Sequence, residues 1–588
     1  MTTDQNYQQI YRVGGMLDAG FVGQITYTIS LDQVYDELDI HFSFDKRLYS
    51  ESDVTPELID RLQTLCTAKY GAPTYPVEEF RQTILHEMKT EIHTMAELND
   101  NFIGCIHRQL TDRHMLYTKE FTSDGCLAQD TFSGVLKVTV LVFNVLLDNT
   151  QYTLTVSGHP VGQGVIAPNF NLMDTVKTAA GNAGASNAAG SADNSCDAES
   201  APASAVATAG SSGVSGAGSA ATAGDSSTTG SSSAGNTVTA STRFKRLELH
   251  NHTVESDGSL TCQELTEYLA ADHVDAFAIT DHNTTSGQKK IEQLLEEKHY
   301  PISLIRGMEY TTYFGHILCL NLAKYVPWNS IDQHRPELLF EAACEKGALV
   351  GIAHPFSYGD PFARGCRFEM TISDYSKVDF IEIFNNPEPL HEVKERGTNL
   401  WISLIFSGYQ ITATSGMDLH NRAKLAGCYA TYIEGKNGGN IASELDTAIH
   451  THRTWVSKGA LLLTEVLPET NELLLTFTDA HKPGFAVPKT AQVVLKGKDK
   501  TFTTSVSLDK PVRVSLNQLS GTDPIIPLLY EAPGINGAAT VSNAAHVAAS
   551  TSCGSAEDTS SAAGQLKEID ALPAIEGLLC VSPVLYRD

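Results

Sequence analysis

Two histidines one residue apart, His250 and His252, follow the apolar run Arg246-Leu247-Glu248-Leu249. In an extended chain residues i and i+2 share a side, so both imidazoles can reach one divalent cation. Shortly after them, Ser256-Asp257-Gly258 supplies a carboxylate at a turn. Such a pair alone is a weak signal, because two core or surface histidines explain it as readily. The weight comes from recurrence. Asp281-His282, Glu309, Gly315-His316, His354-Pro355 and Asp418-Leu419-His420 each stand beside a further apolar run. With 20 His in 588 residues, chance does not set these groups at the ends of nearly every such run.

The runs that must position them are Arg246–Leu249, Ala276–Ile279, Ser303–Ile305, Ile317–Leu320, Ala348–Ile352, Phe380–Phe384 and Gln410–Thr414. They read as seven strands with helical segments between, the alternation of an α/β fold with parallel strands. Closed into a barrel, their C-terminal loops would share one mouth, where residues distant in sequence meet. One helix is expected after Ser259, with Glu264, Leu265, Tyr268 and Leu269 at helical spacing.

The strings Leu249-His250-Asn251-His252-Thr253, Ser256-Asp257-Gly258, Ile279-Thr280-Asp281-His282-Asn283, Gly307-Met308-Glu309, Gly315-His316-Ile317-Leu318, Ala353-His354-Pro355 and Ser415-Gly416-Met417-Asp418-Leu419-His420 closely resemble the motifs of the PHP (polymerase and histidinol phosphatase) metallohydrolase superfamily. The β-rich flanks resemble its CehA/McbA-like branch. The likeness covers about residues 246–431. It implies a distorted (β/α)7 barrel holding three divalent ions. The first would take His250, His252, Glu309 and Asp418; the second Glu309, His316 and His354; the third Asp257, His282 and His420. Glu309 would bridge the first two. Mixed His and carboxylate donors suit zinc, manganese or iron.

The flanks and linkers follow from composition. Residues 175–242 are an Ala/Gly/Ser/Thr tract that cannot bury enough apolar surface to offset chain entropy. A similar tract occupies about 537–563. The expected organisation is therefore an N-terminal β-rich domain over 1–174, the linker, the barrel over 243–457, and a C-terminal β-rich domain over 458–588 with a low-complexity insertion. Within the first block, Val77–Leu98 reads as helix. His86, His93, His107 and His114 read there as ordinary surface or core histidines. The basic run Lys496–Lys500 reads as a hairpin tip.

Lys+Arg 41 against Asp+Glu 69 gives a net charge of −28, which argues against long nucleic acids as partners. No apolar run is long enough to span a bilayer, and Met1-Thr2-Thr3-Asp4 does not begin a secretory signal. Eleven cysteines without a CxxC pair fit a reducing compartment, so a cytoplasmic protein without a membrane role is expected. Protein partners are unspecified by the sequence.

The expected reaction is in-line attack of metal-bound hydroxide on a phosphoester, a nucleotide or small phosphate ester or the end of an oligonucleotide as in a 5′-3′ exonuclease. Asp418, His316 and Glu309 are the candidate catalytic residues, with Asp418 or a histidine moving the proton. Arg306 and Asn385, with Asn386 beside it, are candidate substrate contacts. A carboxylic or carbamate ester hydrolase on the same site is the alternative, because the same nucleophile attacks a carbonyl. A non-catalytic binding or scaffold protein is the second, drawn from the β-rich flanks and long tether.

Overall fold

The computed structural model describes residues 7–71, 76–108, 110–161, 243–328, 334–385, 391–519, 521, 523–532, 566–569 and 572–586, with 391–394 by backbone alone. The expected linker, the 537–563 insertion and Asn386 lie outside the described residues.

Alternating β-branched and polar residues near the N-terminus build a 7-stranded antiparallel sheet. Its strands are β1 (Gln8–Leu17), β2 (Gly23–Phe44), β3 (Glu91–Leu98), β4 (Asn101–Ile106), β5 (Asp112–Tyr117), β6 (Phe132–Asn144) and β7 (Thr150–Pro160). The order is β1-β7-β2-β6-β3-β4, with β5 on β2. Two helices, α1 (Pro56–Tyr70) and α2 (Val77–Glu87), connect β2 to β3. The single helix expected over Val77–Leu98 is thus corrected: it ends at Glu87, and Met88 turns the chain extended. Glu91–Leu98 is buried on both faces, so its apolar pattern has no strand signature, and pairing with β6 decides its state.

The middle of the chain supplies β8 (Arg243–Glu248), β9 (Ala276–Ile279), β10 (Ser303–Thr312), β11 (Gly315–Leu320), β12 (Leu349–Ile352), β13 (Phe380–Asn385), β14 (Thr412–Gly416), β15 (Ala430–Gly435) and β16 (Thr454–Ser457). The helices α3 (Cys262–Ala271), α4 (Ser286–Lys298), α5 (Glu337–Cys344), α6 (His391–Phe406) and α7 (Ile441–His450) alternate with them. The cap of α3 is Thr261, which forms a capping box with Glu264, rather than Ser259. Ser259 instead bonds the carbonyl of His420.

All seven expected strands form, in a mixed sheet. β8-β9-β10 and β12-β13-β14 pair in parallel, whereas β11 runs antiparallel to both β10 and β12. Among the described residues no ladder closes this sheet, so the expected (β/α)7 barrel is not seen as a closed one. From β8 the pairing continues through β15 and β16 into the C-terminal strands of one 14-stranded sheet. Beyond the ends of β8 and β14, an isolated parallel bridge joins Asn251 to Leu419.

The C-terminal strands are β17 (Ala460–Leu467), β18 (Glu472–Asp479), β19 (Thr490–Lys496), β20 (Thr501–Ser507), β21 (Val512–Ser515), β22 (Ile526–Glu531), β23 (Lys567–Ile569) and β24 (Leu578–Val581). β17-β18-β21 form a 3-stranded antiparallel sheet, and Leu475, Phe477, Val493 and Leu495 pack in one core between it and the extended sheet. Lys496–Lys500 forms the turn between β19 and β20. None of the helices described is long and apolar enough to cross a membrane.

Candidate metal centre

The six imidazoles and three carboxylates singled out above gather at the strand ends that share the Asn251–Leu419 bridge. His252 donates its backbone N–H to Leu419 O at 2.9 Å and Leu419 donates to His250 O at 3.1 Å, which draws the β8 and β14 extensions together. This register brings ligand atoms of His250, His252, Glu309 and Asp418 within 4.8 Å of one another. Close approach requires glycine at two points. A Cβ on Gly416 would lie 2.5 Å from His250 Cβ, and one on Gly258 would lie 2.5 Å from His252 O.

Glu309 stands at the centre. It lies on β10, two residues before Thr311, which pairs with His316 on β11, so alternation puts both side chains on one face. Its Oε1 is 2.8 Å from His316 Nδ1 and 3.0 Å from His354 Nε2. Its Oε2 is 3.2 Å from His250 Nε2, 3.3 Å from His252 Nε2 and 2.9 Å from His282 Nδ1. Asp418 Oδ1 is 3.0 Å from His252 Nε2. A second gathering joins Asp257, His282 and His420 with His252. There Asp257 Oδ1 is 3.2 Å from His420 Nε2 and 3.5 Å from His282 Nε2.

Burial grades across the cluster. Glu309, His250 and His252 are fully buried, whereas the side chains of Asp418, Asp257 and His420 are 22%, 25% and 34% exposed. Those three form the solvent-facing side of the cluster. Two of the ring-bearing loops run through backbone that side chains adopt reluctantly: φ is 24° at His354 and 50° at Asp418.

Charge is concentrated here. Burial opposes ionisation of Glu309, yet His250, His316 and His282 beside it hold its carboxyl well below the usual range. Burial likewise opposes the charge on Asp418, and His250 and His420 hold it well below as well. In return, despite burial, Glu309 and Glu382 push the His250 imidazole well above its ordinary value. Asp418 and Asp257 push His420 up to about 10.

His250 Nε2, both ring nitrogens of His252, His316 Nε2, Asp257 Oδ1, Glu309 Oε2 and Asp418 Oδ1 are buried without a hydrogen-bond partner. Leaving so many polar atoms unsatisfied in one buried place is costly, and divalent cations would satisfy them together. The residues fit.

Supporting residues were less visible in the sequence. Glu382, inside β13, accepts from His250 Nδ1 at 3.1 Å and from the His354 backbone N–H at 3.0 Å. Its signal was a lone acid within Phe380-Ile381-Glu382-Ile383-Phe384. Asp281 shapes the loop that carries Asp257, accepting from Thr253 N and from Ser256 Oγ, each at 2.7 Å. His107, from the N-terminal sheet, stacks on His282 with ring centroids 4.1 Å apart and reaches Asp257 Oδ2 at 3.4 Å. His93 and Glu91 lie behind it. His93 and His107 are buried, in keeping with the reading of them as surface or core histidines; that His107 also stands against this cluster is something sequence spacing cannot reveal, because the two sheets meet only in three dimensions.

Of the candidate substrate contacts, Asn385 stands beside the cluster and Arg306 stands away from it. Arg306 is 46% exposed and pairs with Glu292 on α4, because its position on β10 faces the helix layer. Asn385 spends its amide on Glu382 Oε2 at 3.0 Å.

Comparisons with known proteins give partial likenesses. Residues 7–160 match a family of unknown function, DUF6669. A 5′-3′ exoribonuclease of Haemophilus influenzae is 30% identical over 141 residues, 23% of this chain and 50% of the relative. The 5′-3′ exoribonuclease Rnm of Escherichia coli is 34% identical over 79 residues, 13% of this chain and 27% of the relative. The chain thus spans half or less of the exoribonucleases it matches. Among solved structures, a two-domain protein of Bacteroides vulgatus described as containing a predicted PHP-like metal-dependent phosphoesterase aligns at TM-score 0.30 and 15% identity, covering 49% of this chain and 90% of that one. An amidohydrolase of Chromobacterium violaceum aligns at TM-score 0.23 and 16% identity, covering 30% and 88%. Superpositions this loose fix neither fold nor activity.

Proposed function

We propose that this chain is a hydrolase that depends on divalent cations and acts on phosphoesters, of the PHP type. The observation that carries the reading is the crowding of buried donor atoms on His250, His252, His316, Asp257, Glu309 and Asp418, which face one another without making hydrogen bonds. In this reading His250, His252, Glu309 and Asp418 hold one ion, Glu309, His316 and His354 a second, and Asp257, His282 and His420 a third. Such ions acidify a shared water and neutralise charge developing on ester oxygens.

Each residue then has a task. Glu309, with imidazoles against both of its oxygens, would serve as a ligand shared by the first two ions. His316 holds Glu309 Oε1 in line. Asp418, partly open to solvent, is the proposed proton carrier. The partial exposure of Asp418, Asp257 and His420 would let a small phosphate ester, a nucleotide or the end of a chain reach the cluster, and the partial likeness to exoribonucleases supports the last of these. The surplus of acidic residues disfavours tracking along a long polyanion. Placement in the CehA/McbA-like branch rests on the β-rich flanks alone.

The test is a panel of phosphate esters, dinucleotides and short 5′-phosphorylated oligonucleotides assayed beside aryl esters, with and without chelator. Phosphoester turnover that chelator abolishes and Mn2+ restores supports the reading. Aryl ester turnover with no phosphate release across the panel would replace it with the ester or carbamate hydrolase.

A further inference from the structure

Glu91, His93 and His107 form a buried line of ionisable side chains on one face of the N-terminal sheet. The antiparallel register Thr94↔Ile106 sets His93 beside His107, and their ring centroids are 3.9 Å apart. Glu91, two residues before His93 and so on the same side, has Oε1 3.1 Å from His93 Nε2. This is the face that meets the middle sheet. Its other residues, Met95, Cys105, Leu141 and Phe143, share an apolar core with Met308, Tyr310 and Ile317.

Three ionisable groups within an apolar contact are costly unless they are engaged there. The line leads to Asp257, whose two oxygens are divided. Oδ2 lies 3.4 Å from His107 Nε2, while Oδ1 faces His282 and His420 and has no hydrogen-bond partner. The flat of the His107 ring also lies against His282, at an interplanar angle of 26°. One residue of the N-terminal sheet thereby touches two of the three donors at this end of the cluster. The neighbouring loop is locked in place as well. Gly125 donates its N–H to Glu255 Oε2 at 3.0 Å and accepts from Thr284 Oγ1 at 2.9 Å.

We infer that His107 is a positioning residue for the Asp257, His282 and His420 cation site: it holds Asp257 Oδ2 so that Oδ1 points at the ion, and it sets the plane of His282. The N-terminal sheet is then part of the hydrolytic centre. This rests on the proposed function, since it concerns an ion of that centre. A group that orients a ligand through its second atom changes metal affinity by about 10- to 100-fold when removed.

The experiment uses the full chain, stripped by chelator and titrated with Mn2+ alone, with bound equivalents counted by elemental analysis. His107→Leu is expected to weaken one equivalent by about 10- to 100-fold and to leave the others at wild-type affinity, which also reports a folded protein. His107→Gln, which keeps an N–H at similar reach, is expected to recover most of that loss. In an Asp257→Asn background His107→Leu is expected to add a smaller loss than it causes in wild type, because only its contact with His282 then remains to be lost, an outcome that a purely structural role would not give. Wild-type affinity for every equivalent in His107→Leu, no recovery in His107→Gln, or full additivity with Asp257→Asn overturns the inference while the proposed function stands. A wild-type chain that binds no Mn2+ overturns both.

Discussion

Glu382 and His250 are tied by a carboxylate-to-imidazole hydrogen bond of 3.1 Å at Nδ1, which leaves Nε2 of the same ring turned toward Glu309. The tautomer and tilt of His250 therefore depend on an acid more than a hundred residues away in sequence. Glu382→Gln exchanges that charged acceptor for a neutral amide of similar size. The expected result is a loss of about 10- to 100-fold in affinity for the ion bound by His250, read by Mn2+ titration, with the far-UV spectrum unchanged.

Gly416 permits the approach that makes the site. A methyl group there would sit 2.5 Å from His250 Cβ and 2.6 Å from Glu382 Oε1, with His250 N at 3.0 Å. Backbone on one side and a fixed carboxylate on the other leave it no room. Gly416→Ala is expected to cost about 1–3 kcal/mol in stability, read by denaturant unfolding, and to lower hydrolysis at least tenfold because the β14 end must move away from β8.

How much of this was legible in the sequence depends on how local the cause is. His250-Asn251-His252 and the acids and histidines beyond later strands are visible because strand alternation and strand-end loops are local rules. Glu382 was visible only as a charged residue in a buried run. His107 was not, since nothing near it in sequence tells which face of its sheet meets the other. The same applies to the sheet itself. Seven strands could be read, but the continuation from β8 through β15 and from β16 into β24 pairs distant segments, whereas the antiparallel setting of β11 is a local hairpin, with only Tyr313 and Phe314 between it and β10. The side chain of Arg306 turns away for a local reason: standing three residues before Glu309, it has the opposite strand parity and faces the helix layer.

Glu248 gives a pH signature. Burial pushes its carboxyl up to about 7, against the backbone N–H donated by Met417 and the charge of Arg246, which lower it. The unfolded value is near 4.3. A raised acid contributes its stability fully below the unfolded value and loses it as pH rises through the folded value. Over roughly pH 4.5 to 7 the loss is on the order of 2–4 kcal/mol. Gln keeps the oxygen that accepts from Met417 N and cannot ionise. In metal-free protein, Glu248→Gln is expected to unfold at a higher temperature than wild type at pH 8, with the gap shrinking toward pH 4.5 in thermal scans.

Arg306 supplies a contrast. Its pairing with Glu292 lies at the surface and is screened, so Arg306→Ala is expected to shift stability by less than about 1 kcal/mol and to leave KM for a phosphoester unchanged. A large rise in KM would return Arg306 to the substrate.

The most direct measurement is elemental analysis of purified wild-type chain and of a His250→Ala, His252→Ala double variant, each assayed on the phosphoester that wild type turns over fastest. Several equivalents of divalent metal are expected in the wild type, at least one fewer in the variant, and hydrolysis reduced to background. A variant that keeps both its full metal content and its turnover would contradict the proposed function.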